Sequence, residues 1–171
     1  LIHHRQAHLL TEHVSRLQDA ASFLKIYYTL ELEAIEASIQ ALLRHHPNPH
    51  AIANLYLSSG SRTDIFSTFT DPQLIITLRP FEPKINEVDC ILQPELTPRN
   101  HYSAFKLMSY LPSILEQKRA GDHTPILLSS DQLVLETPTA SILAIKDHCI
   151  FTIDHPHILP SVTLPFCVNL L

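Results

Sequence analysis

The chain has 171 residues, 45% of them apolar, and a formal net charge of −5 from 12 Lys+Arg against 17 Asp+Glu. That apolar fraction supplies a real core for one ordinary domain or two small lobes and excludes wholesale disorder. A mildly acidic chain without a basic block is a poor nucleic-acid binder, and no apolar run approaches the roughly 20 residues that span a bilayer. Cys90, Cys149 and Cys167 are widely spaced and odd in number, which suits a reducing compartment rather than a disulfide framework. The first residues carry no signal-peptide pattern, so a cytoplasmic protein with neither membrane nor nucleic-acid partners is expected. Only Gly60 and Gly121 are glycines, against thirteen prolines. Loops that hold phosphate through backbone amides usually spend glycine.

Residues 1–10 alternate weakly, as a strand entering a helix. Thr11 is the expected N-cap, and Val14, Leu17, Ala20, Ala21 and Leu24 recur at helical spacing. A second helix is expected over 30–44, with Leu32, Ile35, Ile39, Leu42 and Leu43 on its apolar face. Pro47 and Pro49 close it, because proline cannot continue a helix. Strands follow over 51–58, 72–79 and 88–92, with a turn at 59–62. The segment 94–100 reads as a linker between a small lobe (1–97) and a larger, partial lobe (98–171).

The second lobe opens on Lys106, just before an amphipathic helical run. Pro112 falls in the first turn of that helix, where proline is tolerated, and Gly121 ends it. Three strands are expected over 126–129, 133–136 and 141–146. Asp147 and His148 form a tight turn into a last strand over 149–153, making a hairpin. After a loop over 156–160, a final helix begins at Ser161, with Leu164, Phe166, Val168 and Leu171 as apolar positions. Its first free N–H groups suit an anion.

Four short blocks, in order, carry a resemblance. They are His13-x-x-Arg16-Leu17, Lys106-Leu-Met-Ser-Tyr110-Leu111, Glu136-Thr-Pro-Thr-Ala140-Ser141-Ile142, and Ile158-Leu-Pro-Ser161-Val162-Thr163. Together the chain resembles the fold-type IV pyridoxal-phosphate enzymes, the class IV aminotransferases and aminodeoxychorismate lyase, with the lyase branch nearest. The resemblance implies an α+β, D-amino-acid-aminotransferase-like fold of two lobes, truncated at both ends relative to the family. It implies pyridoxal 5'-phosphate as cofactor, a small-molecule amine as substrate, and a homodimer.

Residue by residue, Lys106 matches the Schiff-base lysine, whose amine also moves protons. Glu136 matches the carboxylate beside the pyridine nitrogen. Arg16 matches the phosphate arginine, and Ala140, Ser141, Val162 and Thr163 match the amide and hydroxyl donors around the phosphate. Tyr110 stands where members place a polar residue near the cofactor, and Arg62 where a substrate carboxylate would be met. The family's glycines are replaced at Thr137, Pro138 and Ser161, its asparagine at Ser141 and its closing arginine at Leu164.

Three functions follow from these residues. The first is a lyase converting 4-amino-4-deoxychorismate to 4-aminobenzoate and pyruvate in folate synthesis. The second is a class IV aminotransferase of branched-chain or D-amino acids. The third is an inactive relative retained for binding. Beside them stand plainer readings: Lys106 and Glu136 as solvated surface charges, Arg16 as an ion pair with Glu12, and Thr163 as a helix-start residue. Twelve histidines are present. His45, His46 and His50, and the pair His155 and His157, lack any metal-binding motif and are read as solvated loops, with no metal site expected.

Overall fold

The computed structural model describes residues 1–64, 66–68, 70–82, 87–97 and 99–170. Pro98 of the expected linker and the expected apolar position Leu171 lie outside them. The chain forms two compact units, Leu1–Lys84 and Ile85–Leu171. The division falls earlier than the linker expected over 94–100, because the strand Cys90–Pro94 pairs within the second unit.

The first unit begins with a small hairpin, β1 (Ile2–His3) and β2 (Gln6–Ala7). His4 and Arg5 form its turn, both with positive φ (47° and 64°). A two-residue hairpin turn of type I′ requires that sign at both positions to match the strand twist. Next come α1 (Leu10–Phe23) and α2 (Leu32–Arg44). They are followed by β3 (Ala51–Ser58) and β4 (Gln73–Pro80). The four strands make one antiparallel sheet in the order β2-β1-β3-β4.

Thr11 is not the cap of α1. Leu9, in the left-handed region, precedes the helix, and no side chain caps it. The other end closes on a Schellman turn. Lys25 is left-handed (φ 56°), its amide meets the Ser22 carbonyl at 3.1 Å, and the Ile26 amide meets the Ala21 carbonyl at 2.8 Å.

The core of this unit follows from periodicity. Ile35, Ile39 and Leu43 recur every four residues along α2 and are buried together with Ile2, Val14 and Ala51. On β4, Leu74, Ile76 and Leu78 pack on this core while the residues between them face away. Ile39 has no exposed surface. Ile39→Ala is therefore expected to destabilise the fold by about 2–5 kcal/mol, measured as a lower midpoint in urea with an unchanged slope.

Gly60 follows β3 with φ +78°, and a Cβ there would collide with the Thr70 carbonyl across the Ser61–Thr70 bridge. Glycine is required at this position.

The second unit holds β5 (Cys90–Pro94), a 3-10 turn (His101–Ala104), α3 (Leu111–Ala120) and β6 (Thr124–Leu128). A hairpin of β7 (Leu143–Lys146) and β8 (Cys149–Thr152) follows, and then α4 (Thr163–Leu170). β5 and β6 are parallel, so their connection must cross over, and α3 lies within it. The hairpin turn at Asp147 and His148 is as expected, again with two positive φ values.

Further expectations are corrected. Residues 133–136 do not form a strand: only Val134 bridges to Leu128, although Leu135 and Glu136 exchange backbone hydrogen bonds with Leu127. The last helix starts at Thr163 rather than Ser161. The Ser161 hydroxyl instead accepts the Leu164 amide at 3.1 Å, the bond a capping serine makes.

The amphipathic reading of α3 is inverted. Its buried residues are Glu116 and Ala120, while Leu111, Ile114 and Leu115 are exposed. Among the described residues, no helix is long and apolar enough to cross a membrane.

Candidate active site

Within the second unit, a cavity of about 410 Å³ opens between the segment after β5, the lysine segment and the start of α3. Three buried or half-buried carboxylates shape it. Glu116, 4% exposed, ties α3 to the end of β5. Its Oε2 accepts from Gln93 Nε2 at 2.9 Å, its Oε1 accepts the Leu96 amide, and Arg119 Nη1 stands 3.6 Å away. A polar residue on the inner side of a helix is tolerated when its oxygens are satisfied in this way.

Glu95 and Glu136 flank a single guanidinium. Arg99 Nη1 donates to Glu136 Oε1, while Arg99 Nε lies 3.5 Å from Glu95 Oε2, a charge contact without hydrogen-bond alignment. The Arg99 amide donates to Glu95 Oε1 at 3.0 Å, closing a local loop. Glu136 is 7% exposed. Its Oε1 also accepts the Leu159 amide at 3.4 Å, while Oε2 takes no hydrogen bond from the described residues. That leaves one carboxylate oxygen for a ligand group.

Asn100 then starts the 3-10 turn, its Oδ1 accepting the Tyr102 amide at 2.9 Å while its own amide donates to Ser103 Oγ at 3.2 Å. The turn ends at Phe105 in an extended conformation, which delivers Lys106 to the cavity wall.

Of the residues singled out in the sequence, Lys106, Tyr110 and Glu136 line this cavity. Lys106 and Tyr110 are exposed and Glu136 is buried. Ala140, Ser141, Val162 and Thr163 do not line it. The Ala140 amide already donates to Thr137 Oγ1 at 2.8 Å, and the Thr137 amide returns to the Ala140 carbonyl at 2.9 Å. Thr163 opens α4.

Arg16 and Arg62 belong to the first unit. Arg16 lies on α1 with Nη2 at 3.5 Å from His13 Nδ1. Arg62 is exposed beside the Ser61–Thr70 bridge.

Sequence reasoning missed Arg99 and Glu116. The four-residue spacing of Glu95 and Arg99 is a pairing signal, but it lay in a proline-bracketed stretch read as linker. For Glu116 there was no signal, since a charge on a helix is ordinarily solvated.

Comparison with known proteins agrees with this architecture. The family described as amino-transferase class IV matches over residues 1–171. A candidate 4-amino-4-deoxychorismate lyase from Legionella pneumophila superposes with a TM-score of 0.88 at 18% identity, over 98% of this chain and 65% of that one. A 4-amino-4-deoxychorismate lyase from Pseudomonas aeruginosa gives 0.75 at 17% identity, over 98% and 65%. A hypothetical aminotransferase from Mycobacterium tuberculosis, in its pyridoxal-phosphate-bound form, gives 0.80 at 19% identity, over 98% and 64%. The chain thus spans less than two thirds of the length of these structures. A sequence search of curated proteins finds no match. The fold is that of the fold-type IV α+β proteins.

The residues of the cavity suit part of the cofactor bound in such relatives. The cavity volume lies within the roughly 300–1,000 Å³ of small-molecule sites. An amine and a buried carboxylate with one open oxygen face the same space, the donor set that an aldehyde and a pyridine nitrogen require.

Proposed function

The chain belongs to the class IV aminotransferase family, and on that premise we propose that it is a pyridoxal-phosphate-dependent lyase converting 4-amino-4-deoxychorismate to 4-aminobenzoate and pyruvate. The observation that supports this reading is that Lys106 and Glu136 line one cavity. Bound pyridoxal phosphate supplies an electron-poor ring that acidifies the carbon next to the substrate amine.

Lys106 Nζ is the group that holds the cofactor and takes the proton from that carbon. The enolpyruvyl ether bond would then break, the leaving oxygen would take back the proton held by Lys106, the freed enol would ketonise to pyruvate, and the ring would become aromatic. Glu136, held by Arg99, keeps negative charge beside the pyridine nitrogen through its open oxygen. Arg16, Ser141, Val162 and Thr163 are the proposed phosphate donors, with Ala140 joining them once its amide leaves Thr137 Oγ1, Tyr110 a polar neighbour of the ring, and Arg62 a partner for a substrate carboxylate. A homodimer and a cytoplasmic setting belong to the same proposal.

Amino-group transfer is the second reading, favoured by the likeness to aminotransferase structures as well as lyases. It would use the same amine and carboxylate, with Lys106 delivering the proton it takes to a second carbon rather than to a leaving oxygen. A binding role without catalysis is favoured by two contacts, Arg99 on Glu136 and Thr137 on the Ala140 amide.

Mixing the purified chain with pyridoxal phosphate is expected to produce a visible absorption band that borohydride abolishes. Pyruvate release from 4-amino-4-deoxychorismate without any keto acid supports the lyase. Amino transfer that needs a keto acid supports the aminotransferase. A chain that stays colourless with added cofactor overturns both and leaves the binding role.

A further inference from the structure

The first unit carries a second cluster of reactive side chains, unrelated to the cavity. β1 pairs with β3 through Ile2 and Ala51. One step further along the same antiparallel register, His3 stands opposite His50, and directly opposed residues project to the same face. Their rings stack with centroids 4.6 Å apart. His4, next in the hairpin turn, sets its ring edge-on, 4.2 Å from His3 and 5.0 Å from His50. One nitrogen from each of the three rings lies within 4.8 Å of the others.

We propose that His3, His4 and His50 form a surface binding site for a zinc-class divalent cation. Three points no more than 4.8 Å apart lie within about 2.8 Å of a common centre, against roughly 2.0–2.1 Å for a zinc–imidazole bond. Each nitrogen therefore closes by less than about an ångström, and the stacked His3 and His50 rings also rotate so that their in-plane lone pairs meet at one point, a side-chain adjustment that leaves the strands in place. Three imidazoles and one open position for water are an established zinc ligand count, and neutral imidazole suits zinc, copper and nickel better than calcium or magnesium.

A second observation points the same way. His50 Nδ1 is buried and has no hydrogen-bond partner among the described residues. A buried polar nitrogen left unpaired is costly, and a cation bound through His50 Nδ1 would pair it. The Arg5 guanidinium is drawn away to the Leu43 carbonyl at 2.6 Å, at the end of α2, which lessens its repulsion of a cation. The site would tie the β1–β2 hairpin to the start of β3.

The test is zinc titration of the untagged full chain by calorimetry, with the melting temperature followed in parallel, since a ligand bound only by the folded state raises it. One zinc per chain and a higher melting temperature are expected. His50→Gln is expected to weaken binding by about tenfold or more. His4→Gln, at an exposed turn position that leaves the core untouched, is expected to do the same even if the His50 variant folds poorly. The double variant His155→Gln/His157→Gln, which alters the other close histidine pair, is expected to bind zinc normally. Zinc binding that survives His4→Gln undiminished, or is lost in the His155/His157 variant instead, overturns the proposal. So does the absence of any saturable binding to the unaltered chain.

Discussion

Lys106→Ala is expected to remove the borohydride-sensitive absorption band and to lower turnover by about 10²–10⁴-fold or more, the range that a positioned proton-transfer group contributes by itself. Lys106 is exposed, so the loss should come without unfolding, and circular dichroism and the melting temperature are expected to stay near those of the unaltered chain. Lys106→Arg is the sharper comparison. It keeps the positive charge at the cavity wall, but a guanidinium stays protonated and makes a poor nucleophile and base. The arginine variant should therefore be as inactive as the alanine variant. If it retains activity and the band, the lysine acts only as a charge and the assignment of its amine fails.

Arg99→Ala is expected to destabilise the second unit by about 3 kcal/mol, the low end for breaking a mostly buried ion pair, because Arg99 keeps 18% of its side-chain surface in solvent. The physical reason is the pair of carboxylates it leaves behind. Glu136 loses its charged partner, and Glu95 loses the guanidinium that separates it from Glu136. Glu136→Gln in the Arg99→Ala background should recover part of the loss, since a neutral amide costs less to bury than an unpaired carboxylate. A denaturation cycle over the two single variants and the double measures the coupling directly. Equal losses that simply add would show that Arg99 and Glu136 do not act as a pair. The same cycle read through the visible band tests whether Arg99 orients Glu136 for a ligand. In that case Arg99→Ala should weaken cofactor binding at a temperature where the variant is still folded.

What could be read from the sequence was whatever repeats locally. The Ile35, Ile39 and Leu43 stripe of α2, the alternation of β4, and the hairpin closed by Asp147 and His148 all follow from side chains a few residues apart. The four motif blocks are short local patterns as well, and they point to Lys106 and Glu136.

Local reading failed where distant parts of the chain decide the outcome. Thr11 has the right chemistry for a cap, yet Leu9 turns left-handed and starts the helix earlier. Residues 133–136 have strand-like composition, but only one bridge forms, and they serve mainly to bring Glu136 beside β6. The apolar side chains of α3 suggested a buried face, while Glu116 was the residue taken inside, because Gln93 and the Leu96 amide wait there for its oxygens.

By itself, then, the sequence determined the helices, the main strands, the family and the reactive residue types. Only the tertiary structure decided which of those residues meet. It joined Arg99 to Glu136 across 37 positions and His3 to His50 through one strand register. Such contacts depend on strand pairing and burial over long loops, and no local pattern of residue types encodes them.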